Sequence, residues 1–215
     1  EWERTFNVCW YGVYYGCITF LPMLRASRES RIINTSSVNG FFASVGPYVP
    51  HSAYCAAKFA VKGFTEALIT DLRLNAPNVS CSVVMPGHIG TSIIENSRKL
   101  VREKNADEPT DLEVERAREM YLRAGLPVNN VPDEHIKNLM QQESDDWRDK
   151  ARTTAKDAAS IILKGVKEKR WRILVGKVAE FTDQAVREDP ESAYEPEFYE
   201  RLAERNQWPS MENTK

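Results

Sequence analysis

A tyrosine and a lysine stand four residues apart at Tyr54 and Lys58, separated only by Cys55, Ala56 and Ala57. On a helix, positions i and i+4 share a face at about 5–6 Å. An ammonium about 5 Å from a phenol, at an effective dielectric near ~20, favours the phenolate by about 3 kcal/mol. That would lower an ordinary tyrosine pKa by roughly two units, toward the range useful for general acid/base work. In a chain with eight tyrosines the pair alone is weak evidence, since a Tyr stacked on a Lys along a surface helix looks the same. Ser36-Ser37-Val38-Asn39-Gly40, upstream of the pair, adds a second group. The Ser37 hydroxyl can hold a substrate oxygen while Tyr54 gives or takes its proton. Without Tyr54 and Lys58 it would read as a turn or cap. Downstream, Pro86-Gly-His-Ile-Gly-Thr-Ser92 forms a turn that leaves backbone groups free for a ligand.

The surrounding pattern supplies elements to position these groups. Arg31 to Ser36 reads as a short buried strand, Ala53 to Leu74 as a helix and Val79 to Met85 as a second strand. Thr154 to Lys169, Trp171 to Val175 and Lys177 to Val186 read as helix, strand and helix. This alternation implies a parallel sheet with helical crossovers, with Ser37 and the Pro-Gly turn at the C-terminal strand ends, where open α/β sheets bind ligands. The charged segment Ser92 to Lys150 reads as separate helices with apolar faces at Leu112, Val114, Met120, Tyr121, Ile136 and Leu139. It is expected to form a helical lid near the substrate cleft. Residues 1–190 are expected to belong to one α/β domain, and 191–215 to be a polar tail with a helix near Glu195 to Arg205.

Composition excludes several classes. The 29 basic and 31 acidic side chains nearly cancel, without the basic bias of a nucleic-acid binder. Cys9, Cys17, Cys55 and Cys81 show no CxxC and no His at metal-ligand spacing, so no metal site is expected and a reduced, cytoplasmic compartment fits. Phe6 to Leu24 carries no charge and approaches transmembrane length. Its polar interruptions and its stripe of Phe6, Val13, Cys17, Phe20 and Leu24 instead suggest a buried core helix.

Ile33-Asn-Thr-Ser-Ser37, Tyr54-x-x-x-Lys58 and Pro86-Gly-x-Ile-x-Thr91, in this order, resemble successive signatures of the short-chain dehydrogenase/reductase superfamily. Trp2 to Pro22 is similar to the helix that precedes them, and Ala158 to Gly176 to the last helix and strand. The resemblance implies an α/β fold, a Rossmann-like doubly wound parallel sheet, and hydride transfer between NAD or NADP and a small-molecule alcohol or carbonyl. It implies that Ser37 polarises the substrate oxygen, Tyr54 is the acid/base, and Lys58 tunes Tyr54 and bonds the nicotinamide ribose. Ile89, through its backbone, and Thr91 would hold the carboxamide, with Pro86 and Gly87 shaping the approach. Homo-oligomers are expected, because many relatives pair their long helices.

Two departures stand out. A gap-free match places Cys9 where the family usually has an Asn completing a proton relay; Asn7 lies about 200° round the helix. No GxxxGxG loop occurs, so the first mononucleotide-binding half is expected to lie outside these residues, leaving the sheet incomplete at the N-terminus. Such a piece by itself is expected to be poorly stable and inactive. Asn39, Phe41, Phe42 and His88 are expected at the substrate cleft, with Tyr48 and His51 nearby. Each aromatic also reads as packing, and each loop histidine as solvated. Cys55 reads as a small buried residue. Two alternatives remain, a sugar-nucleotide epimerase or dehydratase and a non-catalytic scaffold derived from a reductase. The Pro-Gly loop argues against the first; intact Ser37, Tyr54 and Lys58 argue against the second.

Overall fold

A computed structural model describes residues 2–44, 51–101 and 108–206. The chain opens as one helical rod: α1 (Trp2–Phe6), a π-helical turn (Asn7–Tyr11) and α2 (Gly12–Ala26). Strand β1 (Ser30–Thr35) follows, then helix α3 (Ser52–Asn75) and strand β2 (Val79–Pro86). Three helices, α4 (Ile93–Val101), α5 (Asp111–Arg123) and α6 (Asp133–Asp149), interrupt the alternation. It resumes with α7 (Ala155–Lys167), β3 (Arg172–Val175) and α8 (Lys177–Glu188), and α9 (Pro196–Asn206) ends the described chain.

The strands pair in parallel in the order β1-β2-β3, with Ile32 beside Cys81 and Val84 beside Ile173. β2 is central and wholly apolar over Val83, Val84 and Met85, as a strand covered on both faces must be. Strand periodicity sorts its contacts. Val79 and Cys81 pack with Ile32 and Cys17 beneath α2 and α3, whereas Val84 packs with Ala158, Ile173 and Val175 beneath α7. Helices therefore cover both faces, as the doubly wound reading expects.

The first helix differs from its expected stripe. Val13, Cys17 and Leu24 face the sheet, but Phe20 is 57% exposed. Leu21, four residues beyond Cys17, takes the inward position. Tyr11, Tyr15 and Ile18 are exposed too, so the helix is buried along one flank only. No described helix is long and apolar enough to cross a membrane.

In the charged middle, α5 and α6 build a small core of their own from Val114, Ala117, Tyr121, Val128, Ile136 and Met140. Leu112, expected on this face, is exposed. A capping box between Thr110 and Glu113 starts α5, and Arg98 of α4 ties down α6 by donating to the Met140 carbonyl and Ser144 hydroxyl, each at 2.8 Å. The expected polar tail also differs. Phe198 and Leu202, four residues apart on α9, are each 1% exposed and pack with Phe42 and Ala193. The neighbouring sequence is polar; the apolar partner that buries them comes from a distant loop.

Candidate active site

The site begins where β1 ends. Thr35 is its last residue, Ser36 donates to the Lys58 carbonyl at 2.8 Å, and the Ser36 amide bonds the Val84 carbonyl at 2.8 Å. Ser36 thus fastens helix α3 to the strand end. Sequence reasoning gave it no role, and only its place in the Ser-Ser pair hinted at one. Ser37 is extended and caps a 3-10 turn, Val38–Gly40, by accepting the Asn39 amide at 3.2 Å. That turn passes close under α3: a Cβ on Gly40 would stand 2.9 Å from the Lys58 carbonyl oxygen. Only glycine permits this approach.

Tyr54 and Lys58 project from the first turns of α3 toward Ser37. The Ser37 hydroxyl bonds the Tyr54 phenol, and Lys58 Nζ lies 5.5 Å from the Tyr54 ring centre while donating to the Thr35 carbonyl at 3.1 Å. The electrostatics depart from expectation. Burial raises the Tyr54 pKa above its ordinary value, with the Ser37 hydrogen bond pulling the other way. Burial likewise lowers that of Lys58. The ammonium is turned to the strand-end carbonyl, and desolvation sets the direction of the Tyr54 shift.

Cys9 sits half-buried in the π-helical turn, near enough that a thiolate there would raise the pKa of both Tyr54 and Lys58. Asn7 is exposed. Turns of this kind occur frequently at functional sites.

The second loop leaves the neighbouring strand at the same end. The Gly87 amide bonds the Val175 carbonyl at 3.0 Å, and a Cβ there would meet the Ala179 nitrogen at 2.7 Å. Gly90 pairs with the chain after α6, its amide 2.9 Å from the Thr153 carbonyl. The Ile89 side chain packs beside Val84 and Ile173, and Thr91 is half-buried.

The expected cleft residues divide. His88 turns to α6, with Nε2 2.7 Å from the Trp147 carbonyl. His51 meets the Tyr54 ring edge-on at 5.6 Å. Phe42, 4% exposed, is enclosed with Phe198 and Leu202, so the structure gives it a packing role instead of a pocket wall. Phe41 flanks the same cluster and lies 5.6 Å from the Arg172 guanidinium. Asn39 is buried and bonded to its own loop. Tyr48 lies outside the described residues. Among those described, no group of acidic, His and Cys side chains could hold a metal ion.

The donor set suits one end of a nicotinamide nucleotide. Lys58 can donate to ribose hydroxyls, and Thr91 with the loop backbone can donate to and accept from a carboxamide. Thr91 follows the C-terminal end of β2, and Lys58, on α3, reaches the C-terminal end of the adjacent parallel strand β1 at Thr35. No GxxxGxG run occurs in the 215 residues to cradle a pyrophosphate.

Comparison with known proteins agrees with this arrangement. Residues 1–101 match the family model described as short chain dehydrogenase. Over 95 residues the chain is 42% identical to the Mycobacterium tuberculosis protein named as the oxidoreductase SadH, covering 44% of this chain and 33% of that protein. Among solved structures, a short-chain dehydrogenase/reductase from Burkholderia phymatum in complex with NAD superposes with TM-score 0.62 at 26% identity. That match covers 91% of this chain and 60% of the other. A short-chain dehydrogenase from Burkholderia cenocepacia shares the fold at 17% identity and TM-score 0.56, covering 94% and 59%. The chain thus spans about a third of the curated relative and three-fifths of the solved chains.

Proposed function

Because residues 1–101 match the short chain dehydrogenase model, we propose that this chain belongs to the short-chain dehydrogenase/reductase superfamily and that the whole protein is an oxidoreductase interconverting a small alcohol and carbonyl with NAD or NADP. The observation that carries this reading is the meeting of Ser37, Tyr54 and Lys58 at the end of β1. The NAD complex of the Burkholderia phymatum relative supports the cofactor class.

The substrate oxygen lies between the Ser37 hydroxyl and the Tyr54 phenol. Ser37 donates a hydrogen bond that polarises it, and Tyr54 delivers the proton to that oxygen in reduction or removes it in oxidation. When bound, the nicotinamide supplies the hydride to the substrate carbon or accepts it. Lys58 bonds the ribose, and its charge then favours the phenolate. Ile89, through its backbone, and Thr91 would hold the carboxamide, with the Pro86-Gly87 turn shaping its approach. Cys9 stands at the relay that returns a proton to Lys58. Helices α4 to α6 cover the cleft as a lid, and the exposed flank of α2 supports pairing with a second copy. Four free cysteines support a reducing, cytoplasmic location.

Tyr54→Phe in the whole protein tests the mechanism. Turnover of NAD(P)H with carbonyl substrates, followed by nicotinamide absorbance, should vanish while cofactor binding survives. Retained turnover would overturn the role of Tyr54. A wild-type protein that binds neither cofactor would favour the non-catalytic scaffold.

A further inference from the structure

We propose that Asn39 is a positioning residue for Ser37, and that helix α9 holds it in place through Phe42. This rests on reading Ser37 as part of the site. Asn39 is 4% exposed, and its amide is fully used. Nδ2 donates to the Phe42 carbonyl at 3.1 Å and to the Ser44 carbonyl at 2.8 Å. Oδ1 accepts the Ser37 hydroxyl at 3.4 Å, and the Cys55 thiol bonds the same side chain. A primary amide has two donors and two acceptor positions, so nothing is left for a substrate.

What the amide does is hold the Ser37 hydroxyl, which is otherwise a free rotor. Its oxygen accepts the Asn39 backbone amide at 3.2 Å, and its proton has Asn39 Oδ1 on one side and the Tyr54 oxygen on the other. The bond to Oδ1 is long, and weak enough to yield when a substrate oxygen arrives.

The carbonyls that receive Asn39 belong to a loop bolted to α9 and to the turn just before it. The Phe42 ring stands 5.6 Å from Phe198, and the Ala43 amide donates to the Tyr194 hydroxyl at 3.1 Å. A helix more than 150 residues away in sequence thereby sets the orientation of the Ser37 oxygen.

The test is a ¹³C-tyrosine NMR titration of Tyr54 in the whole protein, with activity measured alongside. Ser37→Ala should raise the Tyr54 midpoint by removing its hydrogen bond. Asn39→Ala should lower it, because the one Ser37 proton is then left to the phenol, and should add nothing in the Ser37→Ala background. In turnover, Asn39→Ala should lower kcat about tenfold, the scale of one misplaced hydrogen bond, with no further loss once Ser37 is gone. Phe42→Leu, which shrinks the ring that α9 clamps, should show the same pattern and serves if Asn39→Ala does not fold. An unmoved Tyr54 midpoint, or one that moves equally without Ser37, would overturn the proposal. The titration needs no turnover, so it still decides the role of Asn39 should the oxidoreductase reading fail.

Discussion

His88 Nε2 lies 2.7 Å from the Trp147 carbonyl oxygen, and the two rings pack with centroids 4.0 Å apart. Because a carbonyl only accepts, Nε2 carries the proton. Trp147 is in the last turn of α6, where carbonyls lack helical partners, so His88 satisfies one that would otherwise be orphaned. The Pro86–Thr91 loop is thereby fastened to α6. His88→Phe keeps the ring contact but loses the bond, and should cost about 1 kcal/mol in urea unfolding.

The same contact predicts a pH dependence. Burial lowers the His88 pKa, with the Trp147 carbonyl pulling it back up in part. The unfolded chain then takes up a proton more readily than the folded one. The contribution of His88 is therefore complete above its ordinary pKa of about 6.5 and lost as pH falls below it. The stability advantage of wild type over His88→Phe should shrink between pH 7.5 and pH 5.5, both on the order set by that ordinary value. A constant gap would refute the assignment.

Two glycines, one buried in the turn under α3 and one exposed along α3, should respond oppositely. Gly40→Ala places a Cβ 2.3 Å from the Ser36 hydroxyl and 2.9 Å from the Lys58 carbonyl, and backbone cannot yield cheaply. It should destabilise by about 1–3 kcal/mol and reduce activity by displacing Lys58. Gly63→Ala, inside α3 with nothing within 4 Å, should stabilise by about 0.5–1 kcal/mol. Thermal unfolding of both variants checks the contrast.

Phe42→Ala should act on stability and not on substrate preference. Its ring is enclosed by Phe198, Leu202 and Ala193, and truncation there costs about 3–5 kcal/mol. A variant of unchanged melting temperature with altered carbonyl selectivity would return Phe42 to the pocket wall.

Lys58→Met should weaken nicotinamide-nucleotide binding about tenfold, since it removes the charged donor expected at the ribose. Calorimetric titration of the whole protein measures this without turnover. Unchanged affinity would confine Lys58 to its bond with Thr35.

Much of the framework was legible from local pattern. Val83 to Met85 is an unbroken apolar run because a central parallel strand is buried on both faces, and that run cannot be read as a surface element. Tyr54 and Lys58 share a face because the helical repeat puts any i and i+4 pair together. Their nearness to Ser37 followed from an alternation that puts both loops at one end of the sheet.

Which way each side chain turns was decided by contacts far apart in sequence. Residue types told that Phe42, Asn39 and His88 could meet a ligand, but not that α9 would cover Phe42, that loop carbonyls would use Asn39, or that α6 would present Trp147 to His88. Leu21 displaced Phe20 from the core because helix phase relative to the sheet depends on packing as well as on period. The Tyr54 pKa depends on the same distinction. Spacing predicts a charge nearby, but desolvation is a property of everything packed around the phenol, and only the tertiary structure supplies that.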